Sequence, residues 1–293
     1  MRSIPRILFD RSAFHRANFD RLARSDVLRF VKSGAIKVHH THILLEETVG
    51  MYLKERNRPE LKRQLPFLLD LCNGKWFKDR EEIWQVELVK DGRKDANLFV
   101  REDVRRVTEQ TMRDRILKDG EFPELMAGLG EKHAEREKEQ SQHSMFSSLR
   151  NEISTLRKNL RSPKEKAIPK FADFKRHHID KIGFDMVSKH TGVRDVHAVY
   201  KRWRTNKKQY PFFTTFMEGY LYQAYFSMVE VNKRLDPHAQ ADIEQLSYLN
   251  RADIVVSCDA GFMKEAFNVL WAPKGKSFLT TEEFLRALPS FGG

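Results

Sequence analysis

Cysteine is scarce: Cys72 and Cys258 are the only two in 293 residues, and they lie far apart in the chain. That rules out a disulfide framework, and both are expected to be reduced core thiols of a cytosolic protein. Long apolar runs are also missing. The most apolar stretch, residues 211–231, is interrupted by Glu218, Gln223 and Glu230, which is too polar for a membrane span. The opening MRSIPRILFD holds too short an apolar run for a signal peptide. No Walker A loop and no dinucleotide glycine fingerprint occur, so nucleotide-driven chemistry has no support. His39, His40 and His42 form a small cluster, as do His177 and His178. Neither has Cys or His partners at zinc-finger spacing, and these histidines are expected at the surface or at strand ends. A histidine-assisted, metal-free ribonuclease has no distinctive support.

Apolar side chains and positive charge are present in quantity. Hydrophobic residues make up 40% of the chain and aromatics 11%, enough for a sizeable core. The formal net charge of +12 suggests a polyanionic partner, with nucleic acid ahead of a membrane surface; the plainer alternative is a soluble basic protein.

Taken in order, Ile4 to Phe9 reads as a short strand that ends at Asp10. Phe14 to Val31 reads as one helix closed by Ser33-Gly34, and Ala35 to His39 as a second strand. Thr41 begins a helix with Glu46 and Glu47 in its early turns, ended or interrupted by Pro59. Leu61 to Cys72 is a further helix, stopped by Asn73-Gly74. Lys75 to Val100 shows no clear period, Glu102 to Lys118 is a charged helix, and residues 120–130 a loop. Residues 131–166 are strongly charged, with a narrow apolar stripe at Met145, Leu149, Ile153, Leu156 and Leu160. Helices are expected over 171–188, 193–203 and 212–232. Asp242 then opens a helix, 253–257 forms a strand buried on both faces, and Cys258-Asp259-Ala260-Gly261 follows it.

Strand–helix units thus flank a long, charged, mostly helical middle. The pattern fits an α/β domain made of residues 1–74 and 211–293, interrupted by a helical, basic insertion over 75–210, because neither flank supplies enough strands for a sheet.

Four acids stand out by context. Asp10 and Asp259 each follow a strand, while Glu47 (or its neighbour Glu46) and Asp242 lie early in helices. If the strands are parallel, all four can approach the edge where open α/β sheets bind ligands. Clustered carboxylates are costly unless a cation neutralises them, and hard ions such as Mg²⁺ or Mn²⁺ take such oxygen ligands. Two of these ions can activate water and stabilise the leaving oxygen in phosphodiester hydrolysis. Read one at a time, the acids are ordinary loop residues or helix caps. Asp236, Glu244 and Asp253 are expected to be solvated surface acids.

The segment Ile7-Leu8-Phe9-Asp10-Arg11-Ser12 resembles the opening strand and acidic turn of PIN-domain nucleases. Thr41 to Val49 resembles their second strand-to-helix step, which carries a glutamate. DIEQLSYLNRADIVVSCDAGF, residues 242–262, is similar to their third and fourth acidic motifs, and Phe278 to Leu285 to the way such domains finish. The resemblance covers residues 4–72 and 212–288. It implies a three-layer α/β/α domain around a central parallel sheet and a Mg²⁺- or Mn²⁺-dependent nuclease, with Asp10, Glu47, Asp242 and Asp259 as the metal-site acids. Ser12 and Ser257 match positions that often carry a hydroxyl. Many members cleave RNA, and some are toxins held by an antitoxin protein, so single-stranded or structured RNA and an antitoxin-like protein are the implied partners. An oligomer is left open. The long middle departs from the compact family pattern.

The run Lys201, Arg202, Arg204, Lys207 and Lys208 is the best candidate for phosphate-backbone contact, against a merely solvated helix end. The aromatic helix PFFTTFMEGYLYQAYFSMVEV could stack bases, but its density favours the core. Two other classes compete with an RNA-cleaving enzyme. One is a non-catalytic PIN-like scaffold that binds nucleic acid. The other is a phosphoacceptor signalling domain, weakened by the lack of a clear Thr/Lys pair at the expected strand ends.

Overall fold

Strand β1 (Arg6–Phe9) sets the plan of the molecule, because its side chains alternate between two cores. Ile7 and Phe9 enter one hydrophobic cluster, and Leu8 enters another. The structure is a computed structural model that describes residues 4–89, 98–116, 170–190, 194–229 and 239–291. Four strands form one sheet in the order β2-β1-β3-β4, where β2 is Lys37–His39, β3 is Ile254–Val256 and β4 is Ser277–Leu279. Every pairing is parallel. Leu8 lies opposite His39 on one side and Val255 on the other, so β1 and β3 are the central pair. Strands of three or four residues suffice because both faces of the central pair are covered.

On one face, Ile7, Phe9, Ile254 and Val256 pack with α1 (Ala17–Ala23), α2 (Val27–Ser33), α3 (His42–Gly50), α4 (Arg58–Leu71) and α12 (Thr281–Ala287). On the other, Leu8 and Val255 meet the core built by α5 (Arg80–Trp84), α7 (Phe171–His190), α8 (Val196–Thr205), α9 (Pro211–Val229), α10 (Ala239–Ser247) and α11 (Phe262–Leu270). Helix α6 (Glu102–Thr111) buries none of its residues. The chain is therefore an α/β protein with a four-stranded parallel sheet, compatible with a three-layer α/β/α fold.

Several local expectations change. Phe14 to Val31 is not one helix: a 3₁₀ turn at Arg11–Phe14 precedes α1, and α1 and α2 are separated at Ser25. The Ser25 hydroxyl donates to Leu22 O at 2.7 Å and accepts from Val27 N at 3.3 Å, so the side chain replaces the helical ladder. Gly34 closes α2 at φ 75°, a conformation that costs glycine little. Pro59 opens α4 rather than ending α3, because a first-turn position needs no N–H donor. β4, flanked by a short 3₁₀ turn and α12, has no counterpart in the sequence reading.

The middle of the chain is woven into the domain where it is described. Phe77, Ile83, Trp84, Val199 and Trp203 share one core with Leu8 and Val255. Phe77 N donates to His40 O at 2.8 Å, which continues the β2 edge. The aromatic α9 is core, with Phe212, Phe213 and Phe216 almost wholly buried. Each such side chain contributes about 1.5–3 kcal/mol by leaving water. The apolar stripe at Met145–Leu160, the loop at 120–130 and Asp236 lie outside the described residues. Among the described residues no helix is long and apolar enough to cross a membrane.

Candidate acidic site at the carboxyl edge of the sheet

Because β1 and β3 run parallel and in register, the residues that follow them emerge side by side. Asp10 N donates to Val256 O at 2.9 Å, which places Asp10 beside Ser257. Three donors then converge on Asp10 Oδ2: Ser12 N at 3.1 Å, Ser12 Oγ at 2.5 Å and Ser257 Oγ at 2.9 Å. The two hydroxyls lie 3.0 Å apart. Ser12 Oγ also accepts from Cys258 N at 2.8 Å, and Ser257 Oγ from Asp259 N at 3.1 Å. Asp10, Ser12, Ser257 and the backbone of Asp259 are thus one hydrogen-bonded unit. Asp259 folds its own carboxylate back, its Oδ1 accepting from Gly261 N at 2.6 Å. Asp10 and Asp259 are both half-buried.

The helices that carry the other two acids are tied to this edge through other residues. Thr41 caps α3, accepting from Leu44 N at 3.2 Å, and donates to Gln245 Oε1 at 2.6 Å. Gln245 Nε2 in turn donates to Phe9 O at 2.9 Å. This buried amide fastens α10, which carries Asp242, to both the end of β1 and the start of α3, which carries Glu47. Asp242 itself is buried. Glu46 pairs with His42 at 3.4 Å on α3. Glu47 is on Arg11's side: burial lowers the Arg11 guanidinium's pKa, and the charges of Glu47, Asp10 and Glu60 push it back up.

Gln245 escaped the sequence reading, although it stands three residues after Asp242 and hence on the same helical face. Arg11 escaped as well, since its neighbours on α3 lie some 40 residues away in the chain.

Oxygen donors of this kind suit a hard divalent cation. Convergence is another matter: among the described residues, no three His, Cys, Asp or Glu side chains come close enough together to hold a metal ion. Asp10 and Asp259 are brought to one place, with Asp242 and Glu47 on the helices alongside.

Other candidates are placed differently from expectation. His39 and His40 stand at the end of β2, as expected of strand-end histidines, but they are buried, and burial drives both pKa values down to about 4. His39 Nδ1 accepts from Lys75 N at 3.0 Å, and His40 Nε2 lies 2.7 Å from Leu68 O. Glu244 and Asp253 are not simply solvated: Glu244 lies 3.5 Å from Arg80, and Asp253 pairs with Arg6 at 3.0 Å and Lys276 at 3.5 Å. Cys258 is half-buried just beyond β3, less enclosed than a core thiol, and both cysteines are free. In the basic run, Arg204 and Lys207 both pair with Asp180, at 2.9 and 2.7 Å. Arg202 Nη2 donates to Leu88 O at 3.4 Å, while Lys201 and Lys208 are exposed.

Fold and edge together define a class: a parallel α/β protein with a serine-buttressed acidic site where β1 and β3 end. Comparison with known proteins goes no further, since no family model, no curated protein and no solved structure matches the chain.

Proposed function

We propose that the protein is a PIN-like, divalent-cation-dependent endoribonuclease of three-layer α/β/α architecture. The observation that carries the reading is the placement of Asp10 and Asp259 just past the ends of adjacent parallel strands, joined through the Ser257 hydroxyl, at the edge where open α/β sheets bind ligands. The three hydrogen bonds from Ser12 and Ser257 fall on Asp10 Oδ2, so Oδ1 would be the oxygen offered to a cation. Ser12 and Ser257 fix the carboxylate's orientation, and Gln245 ties the helix that carries Asp242 to the end of β1 and to the start of the helix that carries Glu47. A Mg²⁺ or Mn²⁺ ion held there by Asp10 and Asp259 would supply Lewis-acid activation of the phosphodiester and of water. Lys201, Arg202, Arg204, Lys207 and Lys208 bind the RNA backbone. The pairs that Arg204 and Lys207 make with Asp180 are weak enough at a partly exposed site to yield to phosphate.

Purified protein with Mn²⁺ cuts single-stranded RNA to products with 5′-phosphate and 3′-hydroxyl ends, whereas Asp10→Asn and Asp259→Asn do not. Mn²⁺ also raises the melting temperature of the wild type and not of Asp10→Asn. Equal RNA binding by all three proteins without cleavage would establish the non-catalytic scaffold instead. Phosphorylation of one aspartate by a small phosphodonor would establish the signalling domain.

A further inference from the structure

We propose that three rings on α7 and α8, those of Tyr200, Phe184 and His197, form a stacking platform for unpaired bases, so that the basic run beside them takes single-stranded RNA in preference to duplex. This rests on the reading of Lys201 to Lys208 as the RNA contact, and it is independent of the acidic edge.

Phe184 is half-buried and, among the described residues, joins neither hydrophobic core. Its ring instead meets two rings of α8. Tyr200 is 5.2 Å away in an edge-on contact at 89°, and His197 is 5.2 Å away at 45°. Tyr200 carries the series inward, its ring 6.0 Å from that of the fully buried Trp203. His197 lies at the other end and is exposed. The rings thus climb from the core to the solvent in contact with one another, and an added base at the His197 end would extend the series.

The platform is held in place from below. Gly183 on α7 lies against the Trp203 ring, where an added Cβ would fall on the indole, so the two helices touch directly at the residue before Phe184. Trp203 Nε1 donates to Thr214 Oγ1 at 3.0 Å, which ties α8 to α9. Asp180, one turn before Phe184 on α7, pairs with Arg204 at 2.9 Å and Lys207 at 2.7 Å. Rings fixed in this way stack on a ligand with little further loss of freedom. Positive charge shares their face. His197, Lys201 and Arg204 stand at i, i+4 and i+7 on α8, and all three are exposed. With a net charge of +12 on the chain, such a face fits a polyanion. Cations hold phosphates of paired and unpaired strands alike, whereas a ring stacks only on a base free of its partner strand. The rings therefore decide which form of RNA the basic run prefers.

The test is fluorescence anisotropy with full-length protein in EDTA, so that nothing is cut. The labelled probes are an adenylate strand of about 12 nucleotides, an abasic ribose-phosphate strand of the same length and the corresponding RNA duplex. Wild type is expected to bind the adenylate strand about tenfold more tightly than the abasic one, and more tightly than the duplex. His197→Ala and Phe184→Leu lose that preference and keep the affinity for the abasic strand. His197→Phe, which has a flat ring and no charge, retains it. Lys201→Ala combined with Arg204→Ala weakens binding of all three probes. Melting curves accompany each variant, and His197→Ala, at an exposed residue, is expected to melt with wild type, so that its lost preference is not a lost fold. Equal binding of adenylate and abasic strands by wild type, tighter binding of the duplex, or an unchanged preference in His197→Ala overturns the inference and leaves the rings as packing between two helices. Cleavage with Mn²⁺ is scored separately: a base preference that depends on His197, in a protein that cuts no RNA, upholds the platform and defeats the nuclease reading.

Discussion

Arg16 shows how much local conformation is committed to the acidic edge. Among the described residues it is the one non-glycine with positive φ, at 46° with ψ −116°. The turn before it is pinned at both ends. Asp10 Oδ2 accepts from Ser12 N, while Ser12 O accepts from His15 N at 3.2 Å and from Asn18 Nδ2 at 3.4 Å. Closing that turn over Ser12 forces the next residue into a region that L side chains rarely occupy, at a cost of about 1–3 kcal/mol. Arg16 is exposed, so its replacement removes no packing. Arg16→Gly is therefore expected to stabilise the protein by about 1 kcal/mol, the strain relief exceeding glycine's larger loss of chain entropy. Chemical denaturation measures it, and a loss of stability in the glycine variant would mean that the turn is unstrained.

At the scale of elements, the crossing of α9 and α10 governs where Asp242 and Gln245 sit. Gly219 on α9 faces Ile243 on α10, and a Cβ added there would run directly onto Ile243 Cγ2. Ile243 lies between Asp242 and Gln245 in the chain, so separating the helices pulls at the amide that ties α10 to Phe9 O. Gly219→Ala is expected to cost about 1–3 kcal/mol by overpacking and, if the proposed nuclease function holds, to weaken cleavage of RNA in the same variant. Adding Ile243→Ala should recover most of the stability, and a double variant no more stable than Gly219→Ala would refute the contact.

The elements also show which features a sequence displays. Asp10 and Asp259 were visible because each follows an apolar run that can only be a buried strand, and parallel pairing then places them together. Gly34 was visible because a left-handed helix end needs glycine. The break at Ser25 was hidden, since the apolar spacing of Phe19, Leu22, Val27 and Phe30 suits one helix, and only a hydroxyl's competition with the backbone interrupts it. β4 was hidden because three residues carry no period, and its pairing with β3 supplies all of its order. Gln245, Arg11 and the buried histidines depend on partners far away in the chain, which spacing cannot show.

For the whole molecule, two opposing sets of buried titrations set a pH of greatest stability. Glu87 lies beneath the start of α9, its Oε1 accepting from Phe212 N at 3.0 Å and its Oε2 from Phe213 N at 2.9 Å. Burial raises its pKa to about 7, against the pull of those two N–H groups and of Arg251. An acid whose pKa is raised on folding binds more protons folded than unfolded, so stability falls as pH rises from about 4.5 to 7. The full swing is up to about 3 kcal/mol. His39 and His40, at the β2 edge, behave in the opposite way. Their pKa values fall from 6.5 to about 4, so the unfolded chain takes the protons first and stability is lost as pH drops through that interval. Below about pH 6.5 two histidines outweigh one glutamate, and above it only the glutamate still titrates. Melting temperature is therefore expected to peak near pH 6.5 and to decline on both sides. Glu87→Gln abolishes the decline on the alkaline side and leaves the acid side in place. Hydrogen exchange separates the two origins within the wild type: the amides of β2 and of Lys75 to Phe77 lose protection first on acidification, and those at the start of α9 as pH rises towards 7. A Glu87→Gln protein that still lost stability between pH 6.5 and 8 as the wild type does would show that the carboxyl beneath α9 is not the titrating group.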